Sequence, residues 1–385
     1  MQAIINGEIW TMEGPRLSKG TILIDDGKIT AVGENIPVPE ASDVYNATGM
    51  VITPGLIDAH THLGIYEEIY TEGDDLNEAT DPITPHLRAI DAINPMDIAF
   101  KDALNAGVTT VVTGPGSANV LGGEMVIMKT CGNLVEDMII SCPAGLKAAL
   151  GENPKRVYKQ NKKTPMTRMA SAALLRCALL KGQQYLTKLE KDSDYAELNK
   201  DLKMESIAKV LRGEIPLRVH AHRADDIMTA LRIGKEFNLR LVIEHGTEGH
   251  LIVDSIANSG VPVVLGPILI NRDKVELMNR SLETASIFAA KKIPFAIMTD
   301  HPVVPVQYLL VSAGLTMRGG LTPEQALESV TIGAAKVLGL SDRLGSIAPG
   351  KDGDVLVLSG NPFCLGTIVK RIYTRNKIIE PDMII

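Results

Sequence analysis

Val51-Ile-Thr-Pro-Gly-Leu-Ile-Asp-Ala-His-Thr-His62 carries an apolar, strand-prone run into two histidines spaced i, i+2. In an extended chain that spacing puts both imidazoles on one face. Where such a strand lines a barrel and the pair sits at its carboxyl end, two neutral nitrogens converge on one point and can seize a divalent metal. Taken alone, the pair is equally compatible with hydrogen-bonded histidines of a core or rim. Its meaning depends on the rest of the chain, where other apolar runs also end on histidine or aspartate.

Before this stretch, residues 1–56 read as short strands and turns. Asp26-Gly27 between Ile24 and Ile29 predicts a tight hairpin, because a two-residue turn of that type requires positive φ. Residues 344–385 have the same character, in Gly350-Lys-Asp-Gly-Asp-Val-Leu-Val-Leu358 and Ile368-Val-Lys-Arg-Ile-Tyr373. The two ends together predict one small β-sandwich. Between them, residues 57–343 alternate strand-like and helix-like segments, the pattern of a parallel sheet wrapped by helices. Eight candidate strands, 57–62, 108–114, 125–130, 138–147, 216–222, 240–245, 262–266 and 295–300, predict an α/β fold built on a (β/α)8 TIM barrel. The rhythm breaks at about 150–215, where Thr167–Leu189 and Tyr195–Leu211 read as long helices of an insertion over the mouth or an interface. The basic stretch Lys155-Arg-Val-Tyr-Lys-Gln-Asn-Lys-Lys163 reads as a solvated loop, with capture of an anionic substrate group as the alternative.

The later strand ends extend the opening pattern. Pro216-Leu-Arg-Val-His220-Ala-His222 carries a second histidine pair, Leu239-Arg-Leu-Val-Ile-Glu-His245 ends on a histidine, and Phe295-Ala-Ile-Met-Thr-Asp300-His301 ends on an aspartate. Histidines from three strands and a terminal aspartate would meet at one barrel mouth. Unpaired polar groups at buried strand ends are costly unless something binds them, so the full set points to a site.

These residues resemble the amidohydrolase superfamily, in its imidazolonepropionase-related and prolidase-like branch, over essentially the whole chain. The resemblance rests on residues 51–62, Ala106-Gly-Val-Thr-Thr-Val-Val112, His220-Ala, Glu244-His-Gly246, Met298-Thr-Asp300 and Gly345-Ser-Ile-Ala-Pro-Gly-Lys-Asp-Gly-Asp-Val355. It implies that His60, His62, His220 and His245 are metal ligands. It also implies that Asp300 both contacts the metal and acts as general acid and base. The cofactor implied is zinc or another divalent ion, one or two per chain. Binuclear relatives carry a carboxylated lysine as bridge, and Lys147, in the apolar run from Met138 to Leu150, is the candidate. Burial there would favour the neutral amine that carboxylation needs. A buried lysine paired with a carboxylate is the other reading, and Glu124 is the alternative bridge. The reaction implied is hydrolysis of a C–N bond, in a cyclic amide or dipeptide-like amide, by water activated at the metal. An amidine- or aminopurine-type deaminase and a catalytically silent structural relative are the alternatives.

His222, His250 and His301 are candidate substrate contacts, whereas His86 reads as a surface residue. The loop Gly114-Pro-Gly-Ser-Ala-Asn-Val-Leu-Gly-Gly123 resembles a phosphate cradle, yet no Gly-Lys-Ser/Thr follows it, so it is expected to shape the mouth instead. Composition bounds the partners. The 385 residues include 45% hydrophobic, 4% aromatic and 34 glycines, as suits an aliphatic α/β protein. A net charge of -7 argues against a nucleic-acid or anionic-membrane partner, and no apolar run approaches the roughly 18 residues of a membrane span. The amino-terminal stretch interrupts its apolar residues too early for a signal peptide. Cys131, Cys142, Cys177 and Cys364 are scattered, as expected of free thiols in a cytoplasmic enzyme acting on a small molecule. The resemblance further implies a homo-oligomer.

Overall fold

Apolar runs at both ends of the chain find each other in one sheet. Residues 1–69, 74–191 and 200–382 are described by the computed structural model. Numbered along the chain, β1 (Gln2–Ile9), β2 (Leu17–Asp25), β3 (Lys28–Gly33), β4 (Asp43–Asn46) and β5 (Val51–Pro54) join β14 (Val355–Leu358), β15 (Val369–Thr374) and β16 (Lys377–Ile379). The expected sandwich is thus built as a single hydrogen-bonded sheet of eight strands with its own core, including Ile4, Ile22, Ile24, Ile52, Val355 and Val357. Asp26 and Gly27 have φ of 46° and 72° and close the β2–β3 hairpin as the sequence predicts. Antiparallel pairing of β5 with β14, Val51 opposite Leu358, ties the two ends together.

The second sheet is the barrel: β6 (Leu56–Thr61), β7 (Val108–Thr113), β8 (Leu121–Lys129), β9 (Ile139–Ala149), β10 (Leu217–Ala221), β11 (Leu241–His245), β12 (Val263–Leu265) and β13 (Phe295–Ile297). The strands follow one another in sequence order. The seam between first and last is drawn together just beyond β13, where Asp300 N donates to His60 O (3.2 Å) and His62 N to His301 O (2.9 Å). One strand departs from the all-parallel expectation: β8 runs antiparallel to both β7 and β9. Residues 114–120 contain no helix, and so short a link can only fold the chain back, since a parallel pairing needs a crossover of a dozen residues or more.

The insertion is helical, with one correction to the sequence reading. The basic stretch expected as a loop is largely helix, Glu152–Gln160, because Pro154 and Tyr158, four apart, are buried while Lys159 and Gln160 are exposed. The first long helix spans Arg168–Lys191. The second is described from Leu202 to Leu211, capped by the Asp201 side chain accepting from Lys203 and Met204 backbone N–H groups, and the expected part at 195–199 lies outside the described residues.

Gly55 sits where the chain passes from the small sheet into the barrel, and its need for no side chain is steric. A Cβ there would lie 2.2 Å from Thr109 Oγ1, against β7, while Gly55 N donates to Asp354 O at 2.9 Å. The same junction buries Lys129 against Asp354, whose Oδ1 also accepts from Thr374 at 2.7 Å. The opening strand is thereby clamped to the sheet behind it, and its carboxyl end is held at the barrel mouth.

Candidate metal centre

Alternation along β6 and β10, and the turn after β13, bring the chemistry to one place. Asp300 Oδ1 lies 3.2 Å from His60 Nε2 and 3.4 Å from His62 Nε2. Two sets of donor atoms, one from His60, His245 and Asp300 and one from His220, His222 and His245, each fall within 4.8 Å of one another. The ring centroids of His220 and His245 are 4.2 Å apart. Two of the rings are oriented from behind by backbone carbonyls. His62 Nδ1 meets Gly114 O at 2.7 Å and His245 Nδ1 meets Gly266 O at 2.9 Å, so those nitrogens donate and leave the Nε2 lone pairs free. His245 Nε2 and His220 Nδ1 are buried without a hydrogen-bond partner among the described residues. Such orphaned lone pairs are what a cation would satisfy.

Electrostatics supports the same reading. Burial lowers the pKa of His62 and drives those of His220 and His222 well below the usual imidazole value; for His245 burial leaves it at about 3. Their rings are therefore neutral and able to ligate near pH 7. Burial alone would raise Asp300, but the neighbouring His245, His60 and His62 outweigh it and hold the carboxyl well below the carboxylate range. His60 differs: the opposing pull of burial is outweighed chiefly by Glu244, and its pKa rises.

Beneath these groups lies a buried charge cluster. Glu244 accepts from His60 Nδ1 (2.9 Å), Arg218 Nε (2.8 Å) and Lys147 Nζ (2.5 Å), and Lys147 Nζ is also 3.3 Å from His60 Nε2. Lys147 thus stands at the centre and is paired with a carboxylate, the second of the two readings of its sequence. Asp58 braces the seam, accepting from Thr299 Oγ1 at 2.5 Å, and burial raises its pKa to about 7. Glu244, Arg218 and Asp58 were not singled out in the sequence. The available signal was a charged residue inside an apolar strand, two positions from a histidine in the case of Arg218 and Asp58.

The centre opens into a cleft of about 390 Å³, lined among others by Tyr66, Ser117, Asn153, Arg156 and Lys274. Gly116, Ser117 and Ala118 of the glycine-rich loop shape its wall, as expected. His222 is there too, stacked on His245 at 4.2 Å and bonded through Nδ1 to Thr247 Oγ1 at 2.7 Å. Other expectations are corrected. His250 bonds Thr284 Oγ1 at 3.0 Å and does not line the cleft. His301 is fully buried behind Asp300, its Nδ1 accepting from Val306 N at 3.2 Å, because Asp300 turns the chain with φ of 57°. Glu124 is engaged by Ser206 (2.8 Å) and Lys209 (2.7 Å) and does not line the cleft. A larger cleft of about 470 Å³, lined by Leu310, Phe363 and Leu365 among others, holds none of these groups.

Comparison with known proteins defines the class. The amidohydrolase family model matches residues 51–384, and the chain belongs to that family, enzymes that hydrolyse C–N bonds. Its architecture matches an amidohydrolase from Thermotoga maritima MSB8, 43% identical, with a TM-score of 0.96 over 99% of this chain and 100% of that one. Among curated relatives, the amidohydrolase tasK of Hapsidospora irregularis is 29% identical across 92% of this chain, which spans only 39% of tasK. An imidazolonepropionase of Shewanella frigidimarina is 25% identical over 91% of this chain and 87% of its own length. A prolidase crystallised with N-methylphosphonate-L-proline shares the fold at 17% identity and a TM-score of 0.64. No helix among the described residues is long and apolar enough to cross a membrane.

Proposed function

We propose that this chain is a metal-dependent amidohydrolase that cleaves the C–N bond of an amide or cyclic amide. His60, His62, His220, His245 and Asp300 would hold one or two divalent ions, zinc first among them, and Lys147 would serve a two-ion form as a carboxylated lysine only on leaving its pairing with Glu244. The observation that carries the proposal is the pair of buried imidazole nitrogens without protein partners among the described residues, on His220 and His245, with His245 grouped beside the ionised Asp300. A divalent ion bound there would supply an acidified water and polarise the substrate carbonyl.

The remaining work falls to the chain. Asp300, whose Oδ1 lies beside the Nε2 atoms of His60 and His62, accepts the proton of the attacking water and returns it to the departing nitrogen. Glu244 holds His60 by Nδ1, fixing which nitrogen faces the cleft. The test is a hydrolysis screen of the zinc-loaded protein against dipeptides, N-acyl amino acids, cyclic amides and aminopurines. Amide or ring opening, seen as a new carboxylate and amine, is expected; ammonia released from an aminopurine alone would replace this reading with deamination.

A further inference from the structure

The insertion helix Glu152–Gln160 presents Asn153, Arg156 and Val157 to the cleft, the i, i+3, i+4 positions of one face, while Lys159 is exposed and does not line it. From the loop after β12, Lys274 reaches the same rim. Its Nζ is 3.5 Å from Asn153 Oδ1, and Asn153 Nδ2 is in turn 2.8 Å from Ser117 Oγ and 3.5 Å from His220 Nε2. Lys274 therefore stands two polar contacts from the metal centre.

The two cations have no carboxylate within ion-pair distance among the described residues. Some arginines elsewhere are ion-paired, as Arg168 is with Asp226, Arg176 with Glu236 and Arg343 with Asp352, while Arg240, Arg272 and Arg280 are met by backbone carbonyls. Arg156 has neither kind of partner among the described residues and lines the cleft. Asp273 also lines the rim, outside ion-pair distance of any cation described. Glu276, fully buried behind His222, does not line the cleft, and it feels the Lys274 charge through space without an ion-pair contact. Two unmatched cations at the mouth of a concave site, one with a planar fork suited to a carboxylate, are an anion receptor in waiting.

We propose that Arg156 and Lys274 form a carboxylate-recognition subsite, so that the preferred substrate is an amide bearing a free carboxylate near its scissile bond. This inference rests on the amidohydrolase reading of the neighbouring centre. The test compares N-acetyl amino acids and dipeptides with their C-terminal carboxamides, by ligand-observed NMR binding and by kcat/KM, on zinc-loaded wild type, Arg156→Ala, Lys274→Ala and the double variant. Arg156→Gln and circular dichroism guard against misfolding. The carboxylate should be preferred by about tenfold or more in wild type, and each single variant should lower that preference by about tenfold. Lys159→Ala should leave it unchanged. No preference in wild type, no binding of either form, or a preference that survives in the double variant would overturn the subsite. Hydrolysis without preference removes the subsite and leaves the proposed function, whereas preference in binding without hydrolysis removes the function and leaves the subsite.

Discussion

Asp300→Asn should lower kcat by about a thousandfold while leaving bound metal close to the wild-type level. The magnitude is that of a general acid–base group, about 10²- to 10⁴-fold. The asparagine keeps the side chain's size and one carbonyl oxygen, so an oxygen can remain near the Nε2 atoms of His60 and His62, now at 3.2 and 3.4 Å, and the ligand set can largely persist. It cannot accept a proton from water or hand one to a leaving nitrogen. The loss should therefore fall on kcat, with KM little changed. Metal content measured on the same preparation separates this role from mere loss of a ligand. Turnover near wild type would remove Asp300 from the chemistry.

The second large effect concerns stability. Glu244→Ala should destabilise the fold by about 3–5 kcal/mol, because removal of one member of a buried ion cluster strands the others. Lys147 and Arg218 are each about 1% exposed, and Glu244 is the carboxylate that receives both. Burial would raise the Glu244 pKa, yet His60, Lys147 and Arg218 outweigh it and hold the carboxyl well below its usual range. The charge is thus part of the folded state, and without it two cations lie buried under the metal centre. Urea denaturation would read the loss as a lower midpoint. A midpoint within experimental error of wild type would show that water or rearrangement relieves the cluster.

Much of this architecture was legible in the sequence, for identifiable reasons. Apolar runs bounded by turns located the barrel strands, and the i, i+2 spacing of His60 with His62 and of His220 with His222 placed each pair on one face. The direction of β8 was not legible, since a strand buried along its whole length reads the same in either sense and only the short 114–120 link decides it. The helix Glu152–Gln160 was hidden by its basic composition, its two buried residues being too few to mark a period. His245 and Asp300 escape simple alternation because both take positive φ, 76° and 57°. That left-handed turn brings His245 to the same cluster as its neighbour Glu244, which strict alternation would place on the opposite face. Arg218 and Lys147 sit side by side in the β9–β10 register, and their shared partner on β11 emerges only once the strands are paired.

The central claim is that the gathered histidines and Asp300 hold a catalytic divalent metal. Its most direct test is metal content per chain by inductively coupled plasma mass spectrometry, before and after dialysis against a chelator, with turnover of a substrate found by the screen followed in parallel. We expect between one and two divalent ions per chain, loss of turnover as they are removed, and recovery when zinc is restored. Protein that binds no metal even after supplementation, with turnover indifferent to the chelator, would contradict the account.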